Sequence, residues 1–230
     1  MAILFFYYEV FMKYLKNLIL SFKEIFIMFI LQYGMLFISF VLFGEESIII
    51  GSILIAIIQI IYIIFKFKYD KIVIRRNILF PYILLGIGTT TTYNMIILGL
   101  NLGNNINVNI NILFNIIISG IIGPVFEEVL FRYSFINSLK KFNSDKLVIF
   151  ISSFIFAICH TGITTCIYAF IIGIINSYLY IKKDNILIPI IIHVTANVFV
   201  NILYSFNLYI FITGIFLVIL STIIIKKSNN

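Results

Sequence analysis

Fifteen of the sixteen basic residues in this 230-residue chain fall in short clusters between long apolar runs. Lys13, Lys16 and Lys23 precede the first run, and Lys66, Lys68, Lys71, Arg75 and Arg76 separate the second from the third. Lys140, Lys141 and Lys146 stand between the fourth and fifth, Lys182 and Lys183 between the sixth and seventh, and Lys226 and Lys227 after the eighth. The turns in between hold no Lys or Arg, only Glu45 and Glu46 or the Asn-rich stretch Asn101 to Asn107. Short loops that alternate in this way mark the two faces of a bilayer, with the basic loops on the cytoplasmic side. A crossing takes about 20 apolar residues, since the hydrocarbon core is roughly 30 Å thick and each residue rises about 1.5 Å. The runs at 25–43, 48–65, 78–99, 109–136, 146–161, 163–181, 186–204 and 207–225 therefore read as eight spans. An even count puts every basic cluster on one side and both termini in the cytoplasm, whereas an odd count breaks the alternation.

Composition supports that reading. With 62% hydrophobic and 11% charged residues, and a mean hydropathy of +1.16, the chain is too apolar for a globular surface, which needs about 25% charged residues. Intrinsic disorder is excluded on the same ground, and two cysteines are too few for a disulfide scaffold. The net charge of +7 forms no patch, so nucleic acid is not an expected partner. The expected architecture is all-α: a polytopic membrane helix bundle forming one membrane domain over residues 1–230, without linker or repeat. Residues 1–22 mix charges and aromatics, as an interfacial amphipathic helix or an extension of the first span would. The fifth span is short and parted from the sixth only by Thr161 and Gly162. Pro81 is expected to open the third span, and Pro124 and Pro189 to kink theirs.

The sixteenth basic residue, Arg132, falls inside a span, with Glu127, Glu128 and both histidines of the chain, His160 and His193. A charge at mid-bilayer costs about 2.5–3.5 kcal/mol, which makes such residues functional candidates. Glu128 and Arg132 are four apart on one helix stripe, the favourable order for an ion pair. Glu127 points about 100° away, so it reads as the free carboxylate beside a structural clasp. Glu127 lies 13 residues before Lys140, His160 14 after Lys146, and Asn197 14 after Lys183. At about 1.5 Å per residue these groups share one layer roughly 20 Å from the cytoplasmic edge, with His193 one turn nearer to it. Three helices then deliver one candidate site.

The same residues carry a resemblance. Glu127-Glu128-Val129-Leu130-Phe131-Arg132 matches Glu-Glu-x-x-x-Arg, the run Phe156 to His160 matches Phe-x-x-x-His, and His193 to Asn197 matches His-x-x-x-Asn. In this order they resemble the CAAX-protease and bacteriocin-processing (CPBP, or Abi) family of intramembrane proteases over Pro124 to Asn197. The first three spans resemble only generic membrane helices. The resemblance implies peptide-bond hydrolysis in a membrane-associated protein or peptide, whether a prenylated CAAX protein or a bacteriocin-linked peptide. A small, Ile- and Asn-rich chain looks like a protein of a bacterial cell membrane, and this favours the peptide or immunity role.

Hydrolysis inside lipid needs an activated water and a stabiliser for the developing charge. Glu127 is the natural base, His160 the group that orients the water, and His193 and Asn197 donors to the oxyanion. No cofactor is expected, with zinc on the two histidines and Glu127 as the competing reading; no His-Glu-x-x-His template is present to support it. Cys159 and Cys166 read as core residues. Thr89 to Thr92 read mainly as helix-packing residues that could also wet the site, and Gly123 with Pro124 as a bend. A non-catalytic immunity or regulatory protein and a small transporter are the other readings. The transporter is disfavoured because the polar residues crowd into spans four, five and seven rather than two matching halves.

Overall fold

The computed structural model of the chain describes residues 2–44, 47–67, 76–102, 111–203 and 205–228. Glu45, Glu46, Lys68, Lys71, Arg75 and the asparagines from 104 to 107 lie outside the described residues. Eight helices and no strand occur among the described residues: α1 (Ala2–Phe43), α2 (Ser47–Lys66), α3 (Arg76–Gly99), α4 (Ile112–Leu139), α5 (Asp145–Ile158), α6 (Ile163–Lys183), α7 (Leu187–Val200) and α8 (Leu208–Lys227). The all-helical bundle is as expected, and each helix coincides with one apolar run. Five of them, α1, α2, α4, α6 and α8, are long and apolar enough to cross a membrane. Large apolar side chains such as Phe65, Ile163 and Phe216 stand exposed on the outer surface, where a water-soluble protein would bury them. The chain is a multi-pass membrane protein.

Three expectations are narrowed or corrected. First, of the two readings of residues 1–22, the continuous helix agrees with an extension of the first span: α1 runs unbroken for 42 residues, about 63 Å. Neither Gly nor Pro occurs before Gly34, so nothing in the sequence stops it. Secondly, α3 starts at Arg76, so Pro81 lies inside the helix rather than at its opening. Pro189 in turn sits in the first turn of α7, where its missing N–H has no intrahelical partner to lose and no kink is required. Thirdly, α5 stops at Ile158, and the fifth span is 14 residues long, about 21 Å. His160 is therefore in the turn after α5 and not within a helix. Gly162 makes that turn with φ +85°, a conformation that side chains with a Cβ rarely adopt, and α6 begins at the next residue.

Packing then fixes how the site helices approach. α1 and α2 form a hairpin held at its turn by Ser39 Oγ donating to Ser47 O (2.8 Å). At its other end Lys66 pairs with Glu24, and the Tyr62 hydroxyl donates to Glu24 Oε2 (2.8 Å) while standing 3.0 Å from Ser134 Oγ of α4. α3 lies between α7 and α8 at backbone contact. A Cβ on Gly86 would sit 2.0 Å from Thr195 Oγ1 and 2.4 Å from Ile192 O, both on α7. Because a backbone carbonyl cannot swing aside, Gly86→Ala is expected to pry α3 from α7. The cost is about 1–3 kcal/mol or more, read as a lowered unfolding midpoint in detergent. Gly34→Ala, with nothing within 4 Å of the added Cβ, is the matched control and should leave the midpoint unchanged or raised.

Candidate active site

α4 is not a regular helix. Ile116–Ile122 and Val129–Ile136 are π-helical and flank a six-residue α-helical piece, Gly123–Glu128. Pro124 has no N–H to give to the preceding turn, and beside it the Gly123 N–H reaches back five residues to Ile118 O. The expected bend thus takes the form of a widened helix, and such π turns recur at functional sites. The α-helical piece ends on the two glutamates.

The two carboxylates differ in every contact. Glu128 is fully buried, ion-paired through one oxygen and hydrogen-bonded through the other. Its Oε2 lies 3.1 Å from Nε of the equally buried Arg132. Its Oε1 accepts from His193 Nδ1 at 2.8 Å and from Asn176 Nδ2 at 3.1 Å. Glu127, by contrast, has 30% of its side chain exposed, and its Oε2 is buried with no hydrogen-bond partner. That oxygen faces His160 Nε2 at 3.9 Å and His193 Nε2 at 3.8 Å. Glu127, His160 and His193 thus converge on one point.

The partners of the imidazoles decide which nitrogen carries a proton. His160 Nδ1 is 2.8 Å from Phe156 O, and a carbonyl can only accept, so the proton is on Nδ1. The contact of His193 Nδ1 with the Arg132-paired carboxylate of Glu128 assigns its proton in the same way. In neutral rings both Nε2 atoms then present lone pairs to an oxygen that also accepts. Three acceptors face one another. A single water has two hydrogens to give, so one acceptor stays unserved unless one of the three groups takes up a proton and becomes a donor.

The Phe156 ring holds this arrangement from below. It is 1% exposed, its centroid lies 4.4 Å from the Arg132 guanidinium carbon, and it meets the rings of His160 and His193 edge-on at 4.7 and 5.7 Å. Asn197 lies one turn beyond His193, and its Nδ2 donates to Ser119 O of α4 (3.2 Å). The structure does not bring its amide against Glu127. Cys159 and Cys166 carry free thiols, and Cys166 Sγ is 3.1 Å from His160 O.

Asn176 on α6 is the residue that the sequence does not betray. It is fully buried and donates to both Glu128 Oε1 and Pro189 O (3.4 Å), tying α6 to α4 and α7. One asparagine among nineteen carries no signal without its neighbours. Asn176→Ala leaves a buried carboxylate short of a donor and should lower stability by about 1–3 kcal/mol, measured by thermal unfolding in detergent.

A metal ion would have to use Glu127, His160 and His193. Nitrogen and oxygen ligands at about 2.0–2.1 Å from a tetrahedral zinc lie about 3.3 Å apart, closer than the 3.8 and 3.9 Å found. Among the described residues no group of three or more His, Cys, Asp or Glu has the spacing to hold a metal ion.

No curated protein and no solved structure matches the chain. A family model does, over the stretch that supplies Glu127, Glu128, Arg132, His160 and His193. In residues 109–199 the chain matches the family described as type II CAAX prenyl endopeptidase, Rce1-like, which is the CAAX-protease family that its three motifs resemble.

Proposed function

We propose that this protein is an intramembrane endopeptidase of the glutamate type, cutting a membrane-associated peptide or protein with Glu127 as the base. The observation that carries the reading is the buried, unpartnered Glu127 Oε2 facing two Nε2 atoms at 3.8 and 3.9 Å. The family match supports a CAAX protease-like hydrolase.

In the proposed reaction a water held between Glu127 and His160 gives one proton to Glu127 as its oxygen attacks the scissile carbonyl carbon. A C–O bond forms and the carbonyl electron pair moves onto oxygen. Protonated His193, backed by Glu128, donates Nε2–H to that oxyanion, and the second amide hydrogen of Asn197 is the other donor. Each such donor is worth about 2.7–4 kcal/mol in comparable sites. Collapse of the intermediate breaks the C–N bond, and the proton on Glu127 goes to the leaving amine. A carboxylic acid and an amine result, with no proton unaccounted for.

The test is mass spectrometry of membrane-associated peptides, prenylated CAAX and bacteriocin-like, incubated in liposomes with the wild type and with Glu127→Gln. Cleavage by the wild type alone is expected. Equal cleavage by both would refute the assignment. A stoichiometric zinc whose chelation abolishes cleavage would replace it with the metal-dependent mechanism.

A further inference from the structure

The polar run Thr89 to Asn94 is out of place in so apolar a chain, and only part of it is used in packing: Thr92 lies against Gly214 of α8. The opposite side of the run borders a half-open cavity of about 170 Å³ between α3, α6 and α7. Thr90 and Asn94 form one wall, Thr165 another, and Asn197 the wall towards the catalytic centre. The rings of Tyr93 and Tyr168, 5.0 Å apart and tilted by 35°, close the side between α3 and α6.

The cavity is preformed. Tyr93 donates to Thr164 O (2.5 Å), joining α3 to the start of α6, and Asn94 Nδ2 donates to Thr90 O (2.9 Å). The Gly86 contact presses α3 against α7 one turn earlier, and Asn197 is anchored on Ser119 O. Asn197 also stands one helical turn from His193, whose Nε2 is 3.8 Å from Glu127. A peptide with its scissile carbonyl over Glu127 would therefore have a neighbouring side chain at the mouth of this cavity.

We propose that the cavity is the specificity pocket of the endopeptidase and takes one neutral, ring-sized side chain of the substrate next to the scissile bond. The proposal rests on the endopeptidase reading. Size sets the occupant, because a cavity of about 150 Å³ accommodates a single benzene-sized group. A farnesyl chain does not fit. The lining carries no charge, so a charged side chain entering it would find no counter-ion. Hydroxyl and amide groups on an otherwise aliphatic and aromatic wall suit a residue with an apolar body and a polar edge, such as Tyr, His or Gln.

The experiment uses the full chain in liposomes and a set of peptides varied one position at a time around the cleaved bond. Thr90→Phe fills the cavity from its buried wall, and Thr165→Phe fills it from an exposed position, where the fold has little to lose. At one substrate position, peptides carrying a ring-sized residue should lose at least tenfold in kcat/KM with either variant. Peptides with Gly or Ala there should keep their rate within about twofold. A profile unchanged in Thr165→Phe, or a loss equal for every peptide, overturns the pocket. Absence of any cleavage by the wild type fails the endopeptidase reading itself, and the pocket with it.

Discussion

Glu127→Gln should abolish peptide cleavage while leaving the folded protein intact. The substitution keeps the length of the side chain and removes its ability to accept a full proton. General-base catalysis contributes about 10²–10⁴ in rate, and the loss should fall in that range or below the detection limit. Folding should not suffer, because Glu127 Oε2 makes no hydrogen bond that the amide would break. The amide even brings two hydrogens to a place where two imidazole acceptors remain, so the unfolding midpoint is expected to hold or rise. Equal midpoints and lost turnover, measured on the same preparation, separate a chemical role from a structural one. A variant that loses both would show that Glu127 helps to hold the helices together.

Glu128→Ala should do the reverse, with the fold failing first. Arg132 would be left fully buried with its charge uncompensated, and the other partners of Glu128, His193 and Asn176, would lose their acceptor. Removing one partner of a buried pair costs about 3–5 kcal/mol, which is a large share of the stability of a single domain. Low yield and a collapsed unfolding midpoint are expected in detergent. Combining Glu128→Ala with Arg132→Leu removes both charges and should recover part of the midpoint without recovering cleavage, since His193 still lacks the acceptor that orients it. A Glu128→Ala protein as stable as the wild type would show that the clasp contributes little.

The contrast between two adjacent glutamates is legible in the sequence to a limited depth. Spacing alone pairs Glu128 with Arg132, because both lie within one turn of the same helix. The contacts of Glu128 with His193 and Asn176 bridge 65 and 48 residues of chain, and nothing local encodes them. The eight helices follow from apolar length and basic punctuation, which are local properties. Where local signals are weak, the reading slips: no Gly or Pro interrupts this run before Gly162, so the fifth span is extended three positions too far, over Cys159, His160 and Thr161. The π turns of α4 are also unreadable, since Pro124 announces a disturbance but not its form. Phe156 belongs to a motif, yet its duty to three side chains at once emerges only when α4, α5 and α7 are assembled around it.

The shortness of α5 and α7 has a consequence for how a hydrolytic reaction can be supplied. Each has 14 residues, about 21 Å, and so falls roughly 9 Å short of the hydrocarbon thickness. α7 carries the imidazole of His193, and α5 ends two residues before that of His160. Irregular backbone at that depth, as in residues 159–162, persists only where protein or water covers its amides, and Thr161 and Gly162 are not covered by protein. Lipid beside such truncated rods must dip or yield to solvent. Helices that hold His160 and His193 at this depth would thereby also thin the bilayer, and a reactant that oil excludes would arrive through the dent.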